Sequence, residues 1–350
     1  MTPRRSIAYA LLSAALFGAS TPFAKLLLGE VSPWMLAAVL YLGSGLGLAA
    51  WLAWRTLAPG GERIAPLARA DWPWLAAATA AGGIAAPVLL MFGLARTDGS
   101  AASLLLNLES VFTAALAWVA FRENVDRRVF LGMLAIVAGG VLLSWEQAPH
   151  AGGLAGTLLI AAACLAWALD NNLTRKASGG DAAVIACLKG LVAGCVNLAG
   201  ALAAGAALPG IGLLAAAGTV GLIGYGVSLA LFIVALRNLG TARTGAYFAV
   251  APFFGGVLAL ALLGERPGAA FWTAAALMAL GVWLHLTERH AHEHAHPATE
   301  HTHSHVHDEH HRHRHDLRWD GREPHVHPHR HEPVVHTHPH YPDLHHRHTH

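Results

Sequence analysis

Residues 93–143 read GLARTDGSAASLLLNLESVFTAALAWVAFRENVDRRVFLGMLAIVAGGVLL, and residues 235–285 read ALRNLGTARTGAYFAVAPFFGGVLALALLGERPGAAFWTAAALMALGVWLH. Laid over each other without a gap at an offset of 142, they pair Leu94 with Leu236, Phe112 with Phe254, Leu116 with Leu258, Glu123 with Glu265 and Gly139 with Gly281. Each stretch closes a unit of five apolar segments, so a second unit built like the first crosses a bilayer in the opposite sense. Two units of inverted topology form the core of a transporter, with the solute site at mid-depth where they meet.

The apolar segments run over 7–28, 34–54, 72–95, 100–121, 129–145, 153–174, 182–206, 211–236, 244–263 and 268–287. A helix rising about 1.5 Å per residue needs roughly 20 apolar residues to cross about 30 Å of hydrocarbon. Nine of the ten reach that length. The exception is 129–145, beside which Arg127 and Arg128 can snorkel. A chain that is 55% hydrophobic and 13% charged is not a soluble globular domain. The expected fold class is an all-α integral membrane protein: ten transmembrane helices as two inverted five-helix repeats, over 1–146 and 147–288, followed by a tail over 289–350.

Lys and Arg beside short loops are held on the cytoplasmic side. With the N-terminus inside, the inner ends carry Arg4, Arg5, Arg55, Arg63, Arg69, Arg122, Arg127, Arg128, Arg175, Lys176, Arg237 and Arg243, against Lys25, Arg96 and Arg266 at the outer ends. An even number of spans brings the C-terminus to the same side, which places a multi-pass protein in the cytoplasmic (inner) membrane with both termini cytoplasmic. Arg4 and Arg5 before an apolar run also fit a signal peptide. The run extends to Leu28, however, and the first unit needs it as counterpart of the sixth segment, where Arg175 matches Lys25. Cys164, Cys187 and Cys195 all lie in apolar segments, which indicates neither a disulfide framework nor a CxxC metal site.

Residues 289–350 hold 23 of the 25 histidines and hardly any aliphatic side chains, too little apolar surface to offset chain entropy, so the expectation is a disordered cytoplasmic tail. The 16 Lys and Arg against 12 Asp and Glu of residues 1–288 give +4, leaving −2 for the tail. Its histidines alternate with other residues, as at His292, His294 and His296, at His301, His303, His305 and His307, and at His325, His327, His329 and His331. Alternate side chains of an extended chain project to one side, and neutral imidazole is a favoured ligand for zinc, nickel and cobalt. These histidines are therefore candidate metal ligands, with a solvated proton buffer or an incidental extension as the plain alternatives.

Within the spans, polar side chains are the functional candidates, because a charge at mid-bilayer costs at least about 2.5 to 3.5 kcal/mol on insertion scales. Glu109 lies nine residues into the 100–121 segment, with Asn107 and Ser110 beside it. Removal from water favours its neutral form, so it can accept and release a proton as water enters from either side; the plain alternative is a protonated Glu bonded to a neighbouring helix. Asp170, Asn171 and Asn172 form a second cluster, and Lys189 sits at comparable depth on the next segment in position to pair with Asp170. Such a pair serves equally to fix helix register. Asn197, Tyr225 and Tyr247 are weaker candidates that suit packing as well. Gly43 and Gly47, and Gly190 and Gly194, have the spacing that lets helix backbones approach. Pro22, Pro87 and Pro252 fall inside spans, where they remove a backbone hydrogen bond and can kink the helix.

The run Asn107-Leu108-Glu109-Ser110-Val111-Phe112 through Phe121-Arg122-Glu123, and its partner Val250-Ala251-Pro252-Phe253-Phe254 through Gly264-Glu265-Arg266, resemble the repeated signature of the EamA family in the drug/metabolite transporter superfamily. That signature is an apolar helix with an internal proline, ending in Gly-Glu-Arg and followed by another helix. The resemblance covers residues 6–287 and departs in two places: Ser110 stands where the second copy keeps Pro252, and the histidine-rich tail lies outside the family's general pattern. It implies a first EamA repeat over 1–146, a second over 147–288, and export or exchange of small metabolites such as amino acids.

The expected function is thus secondary active export of a small-molecule solute by alternating access, in a lipid bilayer, through a pathway of Glu109, Asn107, Asp170, Asn171, Asn172 and Lys189. No GxxxxGK(S/T) loop is present, so the energy comes from a gradient. No catalytic set, required cofactor or nucleic-acid-binding feature can be placed, and a homodimer is left open. The alternative is efflux of Zn, Ni or Co, or metal-regulated transport, using the tail. Against it, the spans contain one histidine, His285, and no clustered Cys or Asp.

Overall fold

A computed structural model describes residues 3–57, 67–121, 127–147, 153–177 and 181–287, together with four strand segments between 291 and 339. Helix α1 (Pro3–Leu27) crosses first and α2 (Pro33–Leu57) returns. The third span is composite: α3 (Trp72–Ala78), a π-helical segment (Thr79–Ala85) and α4 (Ala86–Leu94). The fourth is α5 (Gly99–Leu105) and α6 (Leu108–Phe121), and the fifth is α7 (Arg127–Gln147). In the second half, α8 (Gly153–Ala177) and α9 (Ala182–Ala203) precede another composite span of α10 (Ile211–Gly221), a π-helical segment (Leu222–Val227) and α11 (Ser228–Phe248). The rings of Phe232 and Phe248 lie 5.0 Å apart, so the chain doubles back within the α11 range. Helices α12 (Ala251–Leu263) and α13 (Ala269–Leu286) complete the bundle.

Among the described residues, nine helices are long and apolar enough to cross a membrane, and Ala251–Leu263 is a shorter tenth. The short span is therefore not the expected one. Helix α7 has 21 residues, because Arg127 and Arg128 lie inside its first turn rather than before it. The ninth span is short because it breaks at Ala249–Val250, where Pro252 in the first turn of α12 starts a helix instead of kinking one.

These irregularities repeat. At the offset of 142, residues 80–85 of the first π-helical segment fall on 222–227 of the second. The break at Leu106–Asn107 falls within one residue of the break at Ala249–Val250. Each π segment ends with an amide reaching five residues back, Ala86 to Ala81 and Ser228 to Ile223. Pro87 then removes the N–H that would serve Gly83, and Asn197 Nδ2 sits 3.3 Å from the carbonyls of Gly83 and Ile84 in its place. The Gly82 carbonyl accepts from Tyr41 Oη at 2.8 Å and from Trp167 Nε1 at 3.0 Å. Carbonyls freed from the helix ladder are thus used to bind neighbouring helices, as burial away from water requires.

Helices α2 and α9 approach most closely at glycine. A Cβ on Gly190 would lie 2.6 Å from the Gly45 amide nitrogen, so neither position accepts a side chain. Gly194 meets Leu42, whereas Gly43 meets Gly218 of α10. The glycines of α2 therefore serve two neighbours. Large apolar side chains such as Leu46, Ile211 and Val257 are exposed, the pattern of a surface facing hydrocarbon. Exposed Trp54, Trp72, Trp145, Trp272 and Trp283 lie near helix ends, where indole suits the membrane interface.

The tail is a separate unit. The sequence predicts no fixed structure there, and its described segments are strands β1 (Ala291–His296), β2 (Thr299–His305), β3 (His325–His331) and β4 (Val334–Pro339). Antiparallel pairing of β1 with β4 and of β2 with β3 sets histidine opposite histidine, as at His292 and His338, His294 and His336, His301 and His329, His303 and His327, and His305 and His325. Polar residues alternating at period two suit an extended ribbon better than a helix. His307 lies outside the described residues.

Candidate solute cavity

Between the two halves lies a cavity holding about 620 Å³ of empty space, part of it continuous with the exterior. Its polar lining is Ser44, Glu109, Asp170, Asn171, Lys189 and Ser228, and its aromatic lining is Phe17, Tyr41, Trp167, Tyr225, Phe232 and Phe248. Glu109 opens α6, directly after the break at 106–107, and its Oε1 accepts from Asn171 Nδ2 of α8 at 2.7 Å. Lys189 of α9 donates to both oxygens of Asp170, at 2.5 and 2.7 Å, and to Thr174 Oγ1 at 3.2 Å. Thr174 Oγ1 in turn donates to Asp170 Oδ1 at 2.8 Å. The side chains of Lys189 and Asp170 are only 3% and 9% exposed, so the pair is held away from water and its charges cancel locally.

Four of the six pathway residues expected from the sequence therefore line one cavity: Glu109, Asp170, Asn171 and Lys189. The other two point elsewhere. Asn107 is buried in the helix break, where its Nδ2 donates to Leu104 O at 3.1 Å and lies 3.8 Å from Met278 Sδ of α13. Asn172 donates back to Ala168 O of its own helix at 2.8 Å. Tyr225 does line the cavity, Tyr247 does not, and Asn197 serves the carbonyls of the third span.

The sequence did not single out the remaining aromatic wall. Phe17 is its hub, with ring centroids 5.7 Å from Trp167, 5.7 Å from Tyr225 and 5.4 Å from Phe248, and Tyr41 stacks at 5.4 Å on Tyr225. One signal was available. The offset of 150 that matches Lys25 with Arg175 also matches Phe17 with Trp167, and Ser20 with Asp170. In the structure Gly82 packs on Asp170 and Gly224 on Ser20, so the repeat relation holds at the contacts as well.

At the face where α1 ends, the bundle is tied shut. Gly264 ends α12 with φ +64°, a left-handed turn that favours glycine, and brings Glu265 over the start of α5. The Glu265 carboxylate accepts from Gly99 N at 2.7 Å and from Ser100 N at 2.9 Å, linking the two halves through a helix N-terminus. Lys25 Nζ donates to Leu94 O at 2.7 Å and to Thr97 O at 2.8 Å. Among the described residues, no group of three or more His, Cys, Asp or Glu is placed to hold a metal ion.

Two halves sharing their irregularities, closed over a polar and aromatic cavity inside an apolar bundle, define a membrane transport protein. The profile of the EamA-like transporter family matches residues 4–145 and 154–287. A protein named as an uncharacterized transporter from Methanothermobacter thermautotrophicus is 30% identical over 263 residues, covering 71% of this chain and 76% of its own. A probable 4-amino-4-deoxy-L-arabinose-phosphoundecaprenol flippase subunit ArnE from Pseudomonas paraeruginosa is 40% identical over 90 residues, 26% of this chain and 74% of that protein. A solved crystal structure with TM-score 0.60 and 20% identity covers 81% of this chain and 98% of its own, a likeness of fold. The chain belongs to the EamA-like transporter family. It is a multi-pass membrane protein that works in a lipid environment and transports a small substrate.

Proposed function

We propose that the chain is a proton-coupled secondary exporter of a small organic solute in the cytoplasmic membrane, with both termini inside, working by alternating access around Glu109. The observation that carries this reading is the place of Glu109: a carboxyl at a helix break, between the two halves, half-buried against the cavity and held, among the described residues, by one side-chain donor, Asn171. A carboxyl there changes its surroundings whenever the cavity exchanges one opening for the other. That is the requirement for loading a proton from one side and releasing it to the other. The Asp170–Lys189 pair suits a fixed support, since each member neutralises the other in both states. The ArnE relative is named for a cargo bearing an amino group, which is compatible with a carboxylate at the site.

The test is solute flux in proteoliposomes under an imposed pH gradient. Glu109→Gln keeps shape and hydrogen bonding but cannot exchange a proton, so it is expected to abolish gradient-driven accumulation while the protein stays folded. Equal accumulation by wild type and variant would remove Glu109 from this role.

A further inference from the structure

We infer that the histidine-rich tail is a divalent transition-metal site built between its strands, with zinc, nickel or cobalt held by histidines that stand opposite each other across a ribbon rather than by runs of neighbours along one strand. The inference concerns the tail alone and stands whether or not the transport reading does. It rests on register. All twelve histidines of the four strands belong to one face of their own ribbon, and ten of them are directly opposite another histidine. The other face of the β2/β3 ribbon carries none: it sets Glu300 opposite Arg330, Thr302 opposite Pro328 and Ser304 opposite Val326.

Charge pins this register. In both ribbons the paired residue numbers add to the same total, as 292 with 338 and 305 with 325, so equal lengths of chain separate the two ladders on either side. A slip by one residue leaves no histidine of the four strands opposite another. A slip by two in one direction sets Glu300 opposite Glu332, like charges in place of the opposite pair that Arg330 provides. In the other direction it takes the histidine partners from His294 and His305.

The spacing suits imidazole ligands. Residues directly opposite have Cβ atoms about 4.5–5.5 Å apart, and the next pair on that face follows about 6.4–6.8 Å along the strand. Two successive pairs therefore offer four imidazoles, the ligand count of a closed zinc site with Zn–N bonds of about 2.0–2.1 Å. The β1/β4 ribbon has two such pairs, and the β2/β3 ribbon has three, made by His301, His303 and His305 with His329, His327 and His325. Among the described residues no ligand set is already gathered around one point, so the ion does the gathering. A two-stranded ribbon alone is marginal in water, and these strands have few apolar residues to bury, so a metal joining them supplies stability that pairing lacks.

The experiment is zinc titration of the full chain in detergent, with hydrogen exchange followed at the amides of residues 299–305. His325→Gln, His327→Gln and His329→Gln are made together, which leaves every histidine of β2 in place. Zinc is expected to slow exchange across 299–305 in the wild type. The triple variant should lose that protection in β2, a strand it does not touch, and bind about one ion fewer. A second variant, His296→Gln with His331→Gln, removes the two strand histidines that stand opposite Val334 and Thr299, and should keep both the protection and the ion count. An unchanged melting transition of the helical bundle checks that each variant is folded. Zinc protection of β2 that survives in the triple variant would mean chelation along a single strand and would overturn the inference. So would an equal loss in the His296 and His331 variant, or a wild type whose 299–305 amides do not respond to zinc.

Discussion

Asp181 carries two interactions at the start of α9. Its Oδ1 accepts from the amides of Ala183 at 2.9 Å and Val184 at 3.4 Å, and its Oδ2 takes Arg55 of α2 at 2.5 Å. Burial alone pushes this carboxyl up, but the Arg55 hydrogen bond, the Ala183 amide and the Arg55 charge outweigh it and hold it below its ordinary value. A carboxyl lowered on folding contributes stability above its unfolded pKa of about 3.9, and that contribution disappears as pH falls through the folded value. Asp181→Ala should therefore cost about 1 kcal/mol by loss of the cap. Asp181→Asn keeps a cap and loses the charge. Thermal unfolding across a pH series should show a steady gap between wild type and Asp181→Asn near neutrality, closing below about pH 4. A gap that persists in acid would mean that the carboxylate charge contributes nothing.

At the scale of elements, what the sequence could and could not show follows from periodicity. Trp167, Asp170, Asn171 and Thr174 lie at i, i+3, i+4 and i+7 of α8, one stripe of a helix, and three of them line the cavity while Thr174 braces the ion pair. Asn172 is off that stripe, and Asn107 is two residues from Glu109, a spacing that does not share a helix face. Reading polar neighbours in sequence as neighbours in space was the error in both cases. The ten apolar runs were legible because hydrophobicity reports the bilayer; the π segments and breaks were not, because α and π backbone bury the same side chains. The aromatic wall was hidden because an aromatic residue in an apolar run looks like any other lipid-facing or core residue. Gly82 shows what the irregular backbone is for. A Cβ there would lie within van der Waals overlap of the Asp170 carboxylate, which Lys189 holds in place, whereas the equivalent Cβ at Gly224 would meet Ser20 Cβ at 2.5 Å. Gly82→Ala should destabilise the protein by about 1–3 kcal/mol and cut transport more than Gly224→Ala, because its Cβ would also meet Asp170 Cγ and displace the carboxylate that Lys189 holds, whereas Ser20 has no charged partner to lose. Melting and flux measured on both variants check this, and equal effects would show that the ion pair moves freely.

For the whole molecule, the alternating access proposed above would require the face closed by Glu265 to come apart. The cavity lining reaches toward the opposite face through Ser228, Leu229 and Phe232, while Glu265 of the second half grips the first two amides of α5 in the first half. That grip is a carboxylate on a helix N-terminus, an interaction of typically about 0.3–1 kcal/mol and up to about 2 when partly buried. Weakening it by Glu265→Gln removes the charge but keeps an acceptor, so the bundle should still fold while its closed state loses ground. Ser103 reports the change, since it is fully buried one turn below Gly99 and bonded to it at 2.8 Å. With Cys164, Cys187 and Cys195 replaced and a single cysteine at Ser103→Cys, an impermeant maleimide should label the Glu265→Gln protein about fivefold faster than its parent, the factor that 1 kcal/mol supplies. Whole cells expose only their outer surface to such a reagent, so faster labelling there also assigns the α1-end face to the outside and the chain termini to the cytoplasm. Labelling at the parental rate from either side would mean that Glu265 holds a static corner of the bundle and that the moving contact lies elsewhere.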